Sequence, residues 1–233
     1  MNITSSRVSL IISALVLVLL TSTLHLQAKE TKTFDPARWE KTIQAFEKQD
    51  QKAFPPKRSI LFVGSSSIRK WDLKKYFPDL KTINRGFGGS HMEDPVYYAD
   101  RIVLPYKPKT IVLYEGDNDI SNGKSPEKIF ADFKNFVKIV HENLPKTRIL
   151  FICIKPSMSR WKVINALRQT NKMIREYTKK DKKLQYVDVD APMIGQDGKP
   201  RPELFEKDNL HLNHEGYVLW SSIIRRYLKN PAL

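Results

Sequence analysis

Five short β-rich runs, each too continuously apolar to alternate, constrain this chain more than any other feature. They are "SILFVG" (59–64), "KTINRGF" (81–87), "TIVLYEG" (110–116), "RILFICI" (148–154) and "LQYVDVD" (184–190). Strands of that kind belong to sheets covered on both faces, the pattern of a parallel sheet. Helical periodicity fills the intervals. In "SPEKIFADFKNFVKIVHENLP", Ser125 is placed to cap, Pro126 takes the first helical position, and Ile129, Phe133, Phe136, Val137 and Val140 form an apolar stripe. "RWKVINALRQTNKMIREYTKKD" and "NHEGYVLWSSIIRRYLKN" behave similarly. Ahead of the first strand, "DPARWEKTIQAFEKQDQKA" spaces Trp39, Ile43 and Phe46 as an amphipathic helix that "FPPK" ends. Strands alternating with helices predict an α/β fold: a three-layer α/β/α sandwich on a five-stranded parallel sheet, in one domain with right-handed crossovers.

Sheets of this type bind ligands beyond the carboxyl ends of their strands. The residues there are "GSSS" after the first run, "RGFGGS" after the second and "EGDND" after the third, with "DNLHLNHEGY" before the last helix. Together they offer a hydroxyl, paired glycines, an asparagine amide, and an aspartate three residues before a histidine. A serine becomes a useful nucleophile when a histidine removes its proton and a carboxylate orients that histidine. Glycine N–H groups and an uncharged amide suit the oxyanion that forms next. The four loops therefore supply the parts of acyl transfer.

These blocks resemble those of the SGNH (GDSL-like) hydrolase superfamily. Gly64 and Ser66 match the first block, in which Ser65 and Ser67 replace the usual Asp and Leu. Gly89 matches the glycine of the second, where Ser90 stands at a position often acidic. Gly116, Asp117, Asn118 and Asp119 complete the third, and Asp208 with His211 the last. The likeness runs over residues 58–228. It implies a flavodoxin-like sandwich with sheet order 2-1-3-4-5 and hydrolysis of esters, thioesters or acetylated sugars without a cofactor. It also implies Ser66, His211 and Asp208 as catalytic residues, with Ser66, Gly89 and Asn118 forming the oxyanion hole and no metal. The departures in the first two blocks set the chain apart from the lipase-like members.

Each motif alone has a plainer explanation. Serines after a strand often cap helices, and Ser65 and Ser67 keep that explanation. Gly88 and Gly89 suit a tight turn, and Asn118 suits an Asx turn. Asp208 and His211 suit a structural hydrogen bond. A zinc site lacks the cysteines it favours, while His214 and Glu215 fit the first turn of the last helix. His91 and His141 have no evident partner and read as surface or supporting residues; Glu115 and Asp119 read as positioning residues. The nucleophile elbow of an α/β-hydrolase is excluded because Ile68 occupies its final glycine position.

The amino terminus predicts a destination. Residues 1–28 combine Arg7, the apolar "VSLIISALVLVLL" and "TSTLHLQA", the layout of a secretory signal cleaved after Ala28. No cysteine follows for lipid attachment, and the apolar run is short for a membrane span, an uncleaved anchor being the alternative. Residues 29–57 then hold the first helix and lead-in, 58–233 the hydrolase domain, and the mature protein is expected in the periplasm or outside the cell, with no stable membrane insertion. The single cysteine, Cys153, lies in an apolar run and reads as a buried, inert thiol. Net charge is +15, but the lysines are dispersed and "KKDKK" (179–183) is the only dense run, so no nucleic-acid partner is expected. The expectation is a secreted serine esterase for short-acyl or acetyl esters, small molecules or glycans. A thioesterase, a lysophospholipase and a non-catalytic binding module are the alternatives. The aromatics Tyr97, Tyr98, Tyr106, Tyr114 and Trp161, with Lys155 and Arg160, are candidates for a rim that meets an anionic or acetylated carbohydrate. Oligomeric state is not legible.

Overall fold

The computed structural model describes residues 34–229. The expected leader (1–28) and its cleavage point at Ala28 fall outside that range. Within that range the residues from Pro36 onward form one compact unit. After a 3₁₀ turn at Pro36–Trp39, helix α1 (Glu40–Lys52) leads to β1 (Ile60–Gly64), α2 (Ser66–Arg69), α3 (Leu73–Tyr76) and β2 (Thr82–Gly86). Next come α4 (Glu93–Tyr97), α5 (Ala99–Ile102), β3 (Thr110–Tyr114), α6 (Asp117–Ser121), α7 (Pro126–Asn143) and β4 (Arg148–Ile152). Helix α8 (Ile164–Thr178), β5 (Leu184–Val187) and α9 (His214–Lys229) complete the order.

The strands form one sheet in the order β2-β1-β3-β4-β5, every pair parallel. Alternate residues of each strand point to opposite faces, and both faces are buried. Leu61, Val63, Ile111, Leu113, Ile149 and Phe151 join the core under α1, α7 and α8, which contribute Ile43, Phe133, Phe136 and Ile174. Ile60, Phe62, Val112, Tyr114, Leu150 and Ile152 join the core under α2, α3 and α9, which contribute Ile68, Leu73, Tyr217, Trp220 and Ile224. Two cores on one sheet explain the unbroken apolar runs and give the expected three layers.

Strand and helix ends depart from the sequence reading where the backbone turns. The third run stops at Tyr114, because Gly116 at φ 109° swings the chain out of the sheet. The fourth and fifth stop at Ile152 and Val187. The helix expected over 160–181 begins as a 3₁₀ turn at Met158–Val163. Of the five short helices α2 to α6, only the start of α2 has a sequence signal, the serines after the first run, since four or five residues show no period. Among the described residues no helix is long and apolar enough to cross a membrane.

Candidate active site

β1 ends in a contact that only glycine can make. Gly64 has φ +144°, and a Cβ there would stand 2.0 Å from the Tyr114 carbonyl oxygen on β3. The chain turns from this point straight into α2, whose first residue is Ser66. Ser65 precedes the helix but its side chain caps nothing, so the capping explanation given for it fails; its backbone N–H donates to Tyr114 O at 3.2 Å. Ser67 lies inside α2, beyond a cap position. Tyr217 of α9 donates its hydroxyl to the Ser67 carbonyl (2.9 Å), and Asn84 of β2 donates to the Ile68 carbonyl (2.8 Å). The sequence suggested neither support, because both partners are distant along the chain.

The loop before α9 brings a histidine to this serine. Its ends are joined by the antiparallel bridge between Phe205 and Leu212, two buried side chains, and by Glu206 N–H donating to His211 O at 2.8 Å. Asn213 closes the loop: its amide donates to the carbonyls of Glu203 (2.9 Å) and Phe205 (3.1 Å), and its Oδ1 accepts from Gly216 N–H in the first turn of α9. Within that frame His211 Nε2 lies 3.0 Å from Ser66 Oγ, and Nδ1 lies 2.5 Å from Asp208 Oδ2. Asp208 Oδ1 accepts the N–H groups of Leu210 and His211, both at 2.9 Å. Partial burial opposes ionisation of Asp208, but the His211 ring and the two backbone donors outweigh it and hold the carboxyl well below its usual range. Ser159 donates its hydroxyl to the Asp208 carbonyl (2.8 Å), so the 3₁₀ turn after β4 supports the loop.

Asn118 is tied to the loop that carries Gly89 through the next residue, Ser90. Gly89 is exposed with φ +83°, a left-handed turn suited to glycine. Asn118 at the start of α6 donates one amide hydrogen to Ser90 O at 2.9 Å, leaving the other free to turn elsewhere. The backbone N–H groups of Ser66 and Gly89 have no protein acceptor among the described residues. The loop after β2 is gripped from β3 and its following helix. Glu115 meets Ser90 Oγ at 2.5 Å, and Asp119 accepts Met92 N–H at 3.1 Å. Asp94 accepts His91 N–H and the Arg38 guanidinium, each at 2.7 Å. The positioning role read for Glu115 and Asp119 thus has a physical form.

Several rim assignments do not survive. Lys155 is 1% exposed, and its Nζ bonds Asp117 Oδ2 at 2.9 Å; Arg160 Nε takes Oδ1 of the same carboxylate at 3.0 Å. Burial alone would raise Asp117, yet these two cations hold it below its ordinary value. Lys155 is therefore an internal counter-ion, not a surface that meets substrate. Tyr98, Tyr106 and Tyr114 are core residues, whereas Tyr97 is exposed and Trp161 half-buried, with Lys199 4.7 Å above its ring. His91, read as lacking a partner, is buried with Nε2 2.9 Å from Asn122 Nδ2, and burial lowers it to about 4. Cys153 is buried, and burial pushes its thiol up to about 12.

Comparison with known proteins places this geometry in context. A GDSL-like lipase from Bacteroides thetaiotaomicron is 18% identical, with a TM-score of 0.69 over 80% of this chain and 97% of its own. An acetylxylan esterase from Geobacillus stearothermophilus, solved as a catalytic mutant, is 14% identical, with a TM-score of 0.60 over 74% of this chain and 94% of its own. At such identities the likeness is one of fold. No curated protein sequence matches the chain. The family model of the GDSL-like lipase/acylhydrolases, however, matches residues 64–219, from the glycine before Ser66 to the middle of α9. A match over most of the chain, spanning all four loops of the site, makes the protein a member of the GDSL-like lipase/acylhydrolase family.

Proposed function

We propose that this acylhydrolase-family protein is an exported serine esterase that cleaves short-acyl or acetyl esters, carbohydrate-borne esters among them. The observation that carries the proposal is the unbroken chain from Ser66 Oγ through His211 to Asp208. An ionised Asp208 at Nδ1 keeps the hydrogen on that nitrogen and leaves the Nε2 lone pair facing the serine. As Ser66 Oγ bonds to the ester carbonyl carbon, its proton passes to Nε2, and the imidazolium is steadied by Asp208. The N–H groups of Ser66 and Gly89 and the Asn118 amide stabilise the oxyanion. Collapse of the intermediate breaks the bond to the alcohol, which leaves with the proton from Nε2. Water then attacks the acyl-serine with His211 as base, and the acid departs.

Catalytic mutants of the acetylxylan esterase replace a serine, an aspartate and a histidine, the last two three residues apart, as Asp208 and His211 are here. That agreement supports the assignment of roles, and the acetyl preference is carried over from that esterase's substrate. The Trp39 ring stands beside the oxyanion loop, 3.4 Å from where a Gly89 Cβ would lie, a flat apolar wall compatible with a sugar ring. Export rests on the residue pattern of 1–28 and predicts a mature protein beginning at Lys29, readable by N-terminal sequencing of secreted material.

The deciding experiment is hydrolysis of p-nitrophenyl acetate. Ser66→Ala is expected to lose about three to six orders of magnitude in kcat and to resist labelling by a fluorophosphonate that modifies the wild type. Equal activity in both proteins would overturn the assignment, and a wild type that neither turns over nor labels would make the protein a binding module. A series of acyl lengths tests the acetyl preference, since a thioesterase or lysophospholipase would favour long chains.

A further inference from the structure

Ser90, next to Gly89, is fully buried, and its side chain poses a problem of proton count. Its Oγ lies 2.9 Å from the Phe87 carbonyl oxygen and 2.5 Å from Glu115 Oε1. If Glu115 were ionised, both neighbours would be pure acceptors, and the hydroxyl has one hydrogen to give. A carboxylate at 0% exposure would in addition need a cation or several donors to offset its desolvation. Glu115 has neither. Its Oε2 is buried without a partner, and the charges that act on it most are the carboxylates of Asp119, Asp94 and Asp117.

The nearby cations are committed elsewhere. Lys124 pairs with Asp119 and Glu93, Arg38 with Asp94, and Lys155 and Arg160 with Asp117. Burial, and then the acidic neighbours, push the Glu115 carboxyl well above its ordinary range, against the opposing pull of the Ser90 bond.

We propose that Glu115 is kept as a neutral carboxylic acid that donates to Ser90 Oγ, so that the Ser90 hydroxyl can donate to the Phe87 carbonyl. With Asn118 bonded to Ser90 O, the residue is then held at both its side chain and its carbonyl. The adjacent Gly89 N–H is thereby fixed in direction. Glu115 touches no reacting atom; it is a positioning residue for the oxyanion loop. Its catalytic consequence rests on the esterase reading, whereas its protonation state does not.

The test uses the purified protein with Glu115→Gln and Glu115→Met. Glutamine supplies a donor in the same place and is expected to keep kcat for p-nitrophenyl acetate within about threefold. Methionine removes the donor and is expected to lower kcat about ten- to a hundredfold while KM changes little, since the loop is misplaced and not the substrate surface. An infrared difference spectrum of wild type minus Glu115→Gln, taken at pH 8, is expected to show the C=O stretch of a protonated carboxyl. Absence of that band overturns the proposal, as does a folded Glu115→Met with wild-type kcat. Should Glu115→Met fail to fold, the infrared band and the glutamine variant decide. A wild type without esterase activity would defeat the esterase reading while leaving the infrared measurement valid.

Discussion

At Asp208 the two carboxylate oxygens have separate duties: Oδ2 holds the His211 ring and Oδ1 holds the backbone of its own loop. Asp208→Asn retains the backbone acceptor but presents either an amide N–H or a weaker carbonyl to Nδ1. An amide facing Nδ1 would move the ring hydrogen to Nε2, leaving nothing to accept the serine proton. The expected result is a loss of about 10³–10⁴ in kcat with circular dichroism unchanged, measured on p-nitrophenyl acetate. This residue pair was legible in the sequence because three positions separate its members, close enough for a turn to join them. Lys155 was not: standing just past a strand, it reads equally as a rim residue or a core residue. Only Asp117, 38 positions away and itself buried, shows where the charge is spent.

The long helices follow their sequence signals. Ser125 accepts Lys128 N–H at 3.2 Å and Pro126 opens α7, whose predicted stripe is buried throughout. Because Ser125 is exposed, its cap is separable from the core. Ser125→Ala is expected to cost about 1 kcal/mol in urea unfolding, with activity unaltered. The short helices tell the opposite story. α2 has four residues and no side-chain cap, and is held by Asn84 and Tyr217 from elsewhere in the chain. The serines there hint at a helix start, but they do not supply what holds it. The same holds for the loop after β2: its Ser90 and Met92 are gripped by Glu115, Asn118 and Asp119, which stand beyond β3. β1 lies between β2 and β3 in the sheet, so each grip joins loops of strands that are not neighbours.

Across the whole molecule, buried ionisable groups make stability depend on pH. Burial, reinforced by Lys124 and Arg38 against Glu93, lowers His91 to about 4 from 6.5. Between those values the unfolded chain binds a proton that the folded protein refuses, so stability is lost as pH falls from 6.5 towards 4. Asp119 acts in the opposite sense: burial raises it to about 6, and its contribution declines as pH rises to that value. Comparing wild type with His91→Gln cancels the Asp119 share. The stability lost between pH 7 and pH 4.5 should be about 2 kcal/mol smaller in the variant, by urea unfolding at each pH.

The order of apolar runs and helical stretches by itself determined the sandwich, since a strand buried on both faces must lack alternation. Four polar loops, each following such an element, named Ser66, Gly89, Asn118, Asp208 and His211 as the residues to inspect. Which polar residues face the site and which face inward was decided only by tertiary structure. Lys155, His91 and Glu115 all read as surface or supporting groups, yet each is enclosed by residues remote in sequence. Burial and partnership are sums over neighbours that the linear order does not record. For a charged side chain those sums fix its ionisation, and with it the work it can do.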